Sequence, residues 1–561
     1  FTPDSADGTV ELAFTFDGAA LRGTAVAAFE RIFCGSAEAA AHADIEDAGQ
    51  TVYIPGIDTA AAADDTEDHV TGPNEQISIT DRVDFIGLEA GREYSLKGEL
   101  YDKESGEPMG ITAEKTFIPD ASDGYAELVF TFDGSRLAGR TVVVFETLYA
   151  EQKEVAVHRD INDEDQSVHI PAVETDAADT ESGLNHIEAN AAASVTDTVT
   201  YLNLLPGKEY AVKGELYDKE TGASAGVTAE TTFTPETADG SVELVFTFDA
   251  SALGGKTLVA FEKLYFGDAE IAAHEDIHDV RQTIHVPEIT TKAKNDETGT
   301  REGTLGETIT VTDAVSYAGL VPGEEYVLKG ILMDRESGKA LLCSGREVTA
   351  EAAFVPEEAE GTVEMRFTFS SLSLAGKTAV VFETLYYRGT EVAVHADIDD
   401  NDQAVVFPGI TTKASDAESG RSSLRSGRIA DEIGFSGLTP GAGYVIVTTV
   451  WDKTAGALLD VREECDFSPE APDGTLRVTV AVPAEGLEGH SLVVFEELWL
   501  ITKNGRILTA EHKDPAAKEQ TVSVPAFTPP TGDGAGLFLH AAVMAAAGAG
   551  IILAKKRRGG S

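Results

Sequence analysis

Short runs in which apolar and polar residues alternate with period two recur along the chain. Val242-Glu243-Leu244-Val245-Phe246-Thr247-Phe248 is one, and Ile309-Thr310-Val311-Thr312-Asp313-Ala314-Val315-Ser316-Tyr317 is another. Such alternation gives a strand one apolar and one polar face. Gly, Pro and Asp turns separate the runs, and helical periodicity is absent outside the C-terminal tail. Several short strands at regular turn spacing predict an all-β chain of tandem β-sandwich modules.

The runs belong to a repeat. Phe-x-Pro opens at Phe1, Phe117, Phe233, Phe354 and Phe467, with spacings of 116, 116, 121 and 113. Each opening leads to a Val-rich run ending in Phe-Glu, at Glu30, Glu146, Glu262, Glu383 and Glu496. A His and then a Gln follow, eight residues apart, at His42/Gln50, His158/Gln166, His274/Gln282, His395/Gln403 and His512/Gln520. The other half of the unit recurs four times. After Pro55, Pro171, Pro287 and Pro408 comes a Thr (Thr59, Thr175, Thr291, Thr412), then a strand bearing Asp81, Asp197, Asp313 or Asp431. The expected organisation is half a module over 1–55 and modules over 56–171, 172–287, 288–408 and 409–525. A tail over 526–561 completes it. Junctions without long linkers predict a rod. Phe1 stands in mid-repeat and is not an initiator Met, which reads as a fragment boundary.

Parity along the strands points several polar residues inward. Asp313 shares a face with Ile309, Val311, Val315 and Tyr317; Glu146 shares one with Val142, Val144 and Leu148. The residue after each such Glu varies in type, which predicts the solvent side. Gln166 aligns with Val168 and Ile170, and Thr175 with Val173. Parity assigns the histidines no clear face. A carboxylate buried without a partner costs several kcal/mol. Two per module therefore imply either a structural hydrogen-bond network or a reactive cluster.

Composition narrows the chemistry. Lys plus Arg is 42 and Asp plus Glu is 97, a formal charge of −55. That balance opposes a nucleic-acid partner, which needs clustered cations. Cys34, Cys343 and Cys465 are the only cysteines, too few for a disulfide scaffold or a multi-cysteine zinc site. No nucleophile elbow, phosphate loop or zinc helix appears, and no cofactor is implied. The inward set does suit one reaction. A Thr hydroxyl becomes a nucleophile when a base takes its proton. His can take that proton and return it to a leaving amine. A carboxylate can orient the imidazole, and a buried neutral carboxyl can donate to an amide oxygen. Attack on Gln would release ammonia and leave a Thr–Gln ester.

Val143-Val144-Phe145-Glu146, Val259-Ala260-Phe261-Glu262, Val380-Val381-Phe382-Glu383 and His395-Ala396-Asp397-Ile398-Asp399-Asp400 with Gln403 carry a resemblance. The modules resemble the T-Q ester bond domains, or VaFE repeats, of Gram-positive surface proteins. The resemblance covers residues 1–525. It implies Ig-like or Cna-B-like sandwiches closed by autocatalytic esters, not turnover enzymes. The implied bonds are Thr59–Gln166, Thr175–Gln282, Thr291–Gln403 and Thr412–Gln520. The implied assisting groups are Asp81, Glu146 and His158; Asp197, Glu262 and His274; Asp313, Glu383 and His395; and Asp431, Glu496 and His512. Thr290 and Thr411 are neighbouring candidates for the nucleophile. The last module departs most, with His512-Lys513-Asp514-Pro515 and Trp451, and Gln50 has no Thr partner.

The tail resembles a cell-wall sorting signal. Thr528-Pro529-Pro530-Thr531-Gly532 precedes an uncharged stretch over 535–554 and the basic Lys555-Lys556-Arg557-Arg558. Thr528 stands where Leu is usual. The resemblance implies sortase cleavage between Thr531 and Gly532, a precursor transmembrane helix and attachment to cell-wall peptidoglycan. A ligand on a host or neighbouring cell would then be met by a region N-terminal to Phe1. The alternative reading is a calcium-stabilised adhesion array without cross-links, because Asp160–Asp165 and Asp397–Asp402 have the spacing of hard oxygen ligands.

Overall fold

The computed structural model describes residues 1–483 and 485–526. It divides into two compact units, Phe1–Val406 and Phe407–Ser561. The sorting motif with Thr531 and Gly532, the apolar stretch and the basic end lie outside the described residues. Among the described residues no helix is long and apolar enough to cross a membrane.

Each complete module is a sandwich of two antiparallel sheets. In the 172–287 module the first strand, Ala172–Asp179, pairs with the second, Ala193–Leu202, which pairs with the fifth, Gly240–Phe248. The opposing sheet joins the fourth (Ser224–Phe233), third (Tyr210–Asp218), sixth (Thr257–Phe266) and seventh (Ala269–His274) strands. The last, Thr283–His285, also pairs with the sixth. Between the sheets lies a core that includes Val195, Val199, Tyr210, Val212, Leu244, Phe246, Leu258 and Leu264. The 56–171, 288–408 and 409–525 modules repeat this topology. The longer 288–408 module adds a small hairpin, Leu342–Cys343 with Arg346–Glu347.

Parity placed the inner faces well. Asp313, Val311, Val315 and Ile309 are all buried, as are Glu146, Val142, Val144 and Leu148. Beside the glutamate the outer face departs from parity in one module. Thr147 is buried, whereas Lys263, Thr384 and Glu497 are half-buried and Arg31 is exposed. The sixth strand runs centrally between third and seventh strands, so its second face is partly covered as well. The 1–55 segment forms the strands Thr24–Ala27, Glu30–Cys34, Ala37–His42 and Thr51–Ile54, and leaves Phe14 and Phe16 exposed.

One glycine fixes how closely the sheets approach at the glutamate. Gly214 lies opposite Glu262 in the pairing of third and sixth strands. A Cβ there would meet Leu244 Cδ2 at 2.5 Å and Phe246 Cζ at 2.6 Å. Gly98 and Gly330 meet Phe130 and Phe367 in the same way. In the last module this position is Thr448, and the facing aromatic is replaced by Val480. Gly214→Ala should overpack the core and destabilise its module by about 1–3 kcal/mol. Denaturant unfolding followed by limited proteolysis of that module checks this; unchanged stability would contradict it.

Candidate functional site

The first strand carries Thr175 and the turn before the last strand carries Gln282, so residues 107 apart in sequence meet inside the sandwich. Thr175 opposes Val199 while Ala177 opposes Asp197, which sets hydroxyl and carboxyl on the same inner face. Glu262 reaches in from the sixth strand of the other sheet, in register with His274 across a bulged hairpin. Thr175, Asp197, Glu262 and Gln282 are all buried, with His274 half-buried beside them.

The amide is the centre of the cluster. Gln282 Nε2 donates to Thr175 Oγ1 and to Glu262 Oε2. Gln166 does the same with Thr59 and Glu146. Gln403 reaches Thr291 Oγ1 at 2.9 Å and Glu383 Oε2 at 2.7 Å. Gln520 reaches Thr412 and Glu496. Thr290 and Thr411 are exposed on the opposite face, so the hydroxyls that meet the amides belong to Thr291 and Thr412. In the 1–55 segment Gln50 donates to Glu30 alone among the described residues.

The two carboxyls of each module sit together. Burial first, and the neighbouring Asp charge second, push Glu262, Glu383 and Glu496 far above the ordinary carboxyl range. Glu146 is raised for the same reasons. Burial also raises Asp81, Asp197, Asp313 and Asp431. Treated as two carboxylates, both Asp oxygens and one Glu oxygen would be buried without donors in every module. A single shared proton resolves this: Glu Oε1–H donates to the Asp, and Glu Oε2 accepts from the amide. The sequence reading gave that proton to the amide oxygen. Here it goes to the more acidic Asp, the amide turns its nitrogen to Glu, and Gln Oε1 is buried without a partner.

The imidazole has an orienting group that the sequence reading did not assign. His274 Nε2 lies 3.1 Å from Asp279 Oδ2, His158 Nε2 lies 2.9 Å from Asp163, and His395 Nε2 lies 3.2 Å from Asp400. In each Asp the other oxygen accepts a backbone N–H two residues on. His42 and Asp47 repeat the pair at 2.8 Å. An acceptor at Nε2 leaves Nδ1 as the basic nitrogen. His158 Nδ1 and His274 Nδ1 are buried with free lone pairs, whereas His395 Nδ1 faces the Ile289 carbonyl at 3.2 Å. In the last module His512 Nδ1 lies 3.3 Å from Thr412 Oγ1. There Ala517 stands five residues after the His, where the others have Asp. The His-to-Asp interval of five is visible in the sequence, where the same acids carry the alternative of a calcium site. They cap their own turns and the histidines. Among the described residues no group of three or more His, Cys, Asp or Glu side chains is disposed to hold a metal ion.

Fold and site together define a class of protein: tandem all-β modules that hold a hydroxyl and a carboxamide in contact at the two ends of each module. The model of the T-Q ester bond containing domain matches residues 1–54, 55–170, 171–286, 287–407 and 408–524. The chain belongs to that family. No curated relative matches it. Among solved structures it is similar to a bacterial adhesin from Mobiluncus mulieris containing intramolecular disulfide, isopeptide and ester bond cross-links. That likeness has 17% identity and a TM-score of 0.19, and covers 44% of this chain and 88% of that one. It is also similar to a tetra-tandem repeat in the extending region of a large adhesion protein, at 13% identity and a TM-score of 0.18, over 84% of this chain and 100% of that one. TM-scores this low do not support a shared arrangement of modules.

The shared proton has a pH signature in a chain that cannot close. Asp197 and Glu262 share a proton in the fold that they would release when unfolded near pH 4, so its contribution is complete below that pH and is lost as pH rises through neutrality. In Thr175→Ala the affected module should therefore be less stable at pH 8 than at pH 5. Adding Glu262→Gln should flatten that slope. Urea unfolding at the two pH values measures it, and stability that rises with pH would refute the shared proton.

Proposed function

We propose that the chain is the stalk of a cell-wall-anchored surface protein, adhesin or pilin-like, whose modules are closed by autocatalytic Thr–Gln esters. The observation that carries this reading is the contact of the Gln amide with the Thr hydroxyl and the buried Glu carboxyl in four successive modules. The Thr hydroxyl, which in Thr175 donates to Glu262 Oε2 at 3.1 Å, gives its proton to His Nδ1 as Oγ1 attacks the Gln carboxamide carbon; in the 288–408 module His395 Nδ1 must first leave the Ile289 carbonyl. The Cδ–N bond then breaks, and the departing nitrogen, already on Glu Oε2, takes the proton shared by the carboxyl pair. The imidazolium returns its proton to that pair. One ammonia leaves, one ester forms, and no catalyst is regenerated for a second substrate.

The bonds would be Thr59–Gln166, Thr175–Gln282, Thr291–Gln403 and Thr412–Gln520, closing intervals of 107, 107, 112 and 108 residues. From each Gln to the next Thr the chain runs nine residues, as from Gln166 to Thr175. Tension along the chain would pass through esters and short connectors, sparing the sandwiches. A cross-link closing about 100 residues also stabilises by roughly 4–5 kcal/mol in the chain-entropy model. That role replaces disulfides in a chain with three cysteines. Sortase would join Thr531 to peptidoglycan.

Tryptic digestion should yield one peptide pair joining Thr175 to Gln282, separable by strong base. Thr175→Ala or Gln282→Ala should abolish it, and Asp279→Ala should slow its formation at least about tenfold by freeing the imidazole. Recovery of only linear peptides from folded wild-type protein would refute the cross-link. Protein released from cell walls should end at Thr531; recovery with the 535–554 stretch attached would refute the anchoring.

A further inference from the structure

His186 lies in the loop between the first and second strands of the 172–287 module, yet its surroundings belong largely to the next module. It is buried, its ring stacks on Tyr387 at 4.1 Å between centroids, and its edge meets Tyr326 at 5.8 Å. Tyr326 Oη accepts from the Val321 backbone N–H at 2.9 Å, so its own proton is free for His186 Nε2, 2.8 Å away. Nδ1 donates to Asn185 Oδ1 at 2.9 Å. Both ring nitrogens are thus engaged in a neutral imidazole that ties one module to the next.

We propose that this joint is an acid-released hinge, in which protonation of His186 withdraws the loop from its seat between Tyr326 and Tyr387. A second ring proton would point Nε2–H at a hydroxyl already presenting its own hydrogen, and would place a cation in a dry aromatic stack.

His285 stands 5.2 Å away on the ring's own module, with Lys219 acting on it in turn. Arg388 of the next module lies over the Tyr387 ring at 4.9 Å. Both oppose a cation. Glu324, the nearby counter-charge, is held by Arg388 at 3.3 Å and by the Tyr387 hydroxyl at 3.2 Å. The adjoining cleft of about 630 Å³ is also lined by Asp179, Glu181, Glu188 and Glu391. Of these, Glu391 is raised by burial and by Glu188, which weakens it as a counter-charge. The balance holds the ring down to about 3, with burial the largest cause and His285 and Arg388 next.

The sign follows. A docked imidazole with lowered proton affinity makes docking complete above the free value of about 6.5 and weaker as pH falls below it. The loss is about tenfold per pH unit, or roughly 30-fold at pH 5. His285, held down to about 4 by burial and Lys219, acts in the same direction.

The preceding joint provides an internal control. Val70 pairs in parallel with His169 as His186 does with His285, and it is buried in the apolar cluster of the 172–287 module with Tyr210. Val70 cannot titrate. Hydrogen exchange on the full chain, corrected for intrinsic rates, should show peptides covering 184–188 and 321–327 opening at least tenfold more at pH 5 than at pH 7.5. Peptides covering 68–72 should not follow. His186→Phe, which keeps the stacking, should leave only the smaller part that His285 contributes, and His186→Phe with His285→Phe should abolish the difference. Equal protection of the 184–188 loop at both pH values would overturn the proposal, as would a pH response of wild-type size in His186→Phe.

Discussion

Two carboxyl groups cannot both be charged side by side in a dry core. That constraint organises each module of this chain. Asp197 and Glu262 come from opposing sheets and are both buried. They can coexist only by holding one proton between them, which makes Glu262 an acid with one free acceptor oxygen. The amide of Gln282 fills that acceptor with one N–H and reaches Thr175 with the other. The contact between hydroxyl and carboxamide is therefore a consequence of where a proton sits. The glycine opposite the glutamate, Gly214, brings the sheets close enough for Leu244 and Phe246 to seal the cluster from water.

Much of this was legible in the sequence, for a simple reason. Period-two parity survives wherever a strand is regular, so Thr175, Asp197 and Glu262 could be placed on the inner face from their neighbours alone, and Gln282 could be placed in the same way. Parity fails where the backbone is irregular. The hairpin bulge between Leu264 and Tyr265 lies between Glu262 and His274, so counting along the chain gave the His no face. Asp279 lies in a turn, where no periodicity exists, and its acidic neighbours imitated a cation loop. The direction of the amide depends on a shared proton, which no residue pattern encodes. Thr147 was misread because its strand is central in its sheet and partly covered on both faces.

The differences between modules carry information of the same kind. The last module replaces Gly by Thr448 and the facing Phe by Val480, a compensated exchange of volume. It also lacks the Asp that holds the imidazole elsewhere, and its His512 has moved within reach of the Thr412 hydroxyl. At the joints, Val70 and His186 fill equivalent places with very different chemistry. Modules that share one buried contact of hydroxyl and carboxamide thus differ in what surrounds it and in what links them.

The central claim is that the four buried contacts become covalent. Intact-mass measurement of the recombinant full-length chain, unfolded in denaturant at neutral pH, tests it most directly. The account predicts a mass lower than that of the sequence by four ammonia molecules, and by three in Thr175→Ala. A folded protein with the full mass of its sequence would contradict it, and would leave the inward-facing polar residues as a structural network.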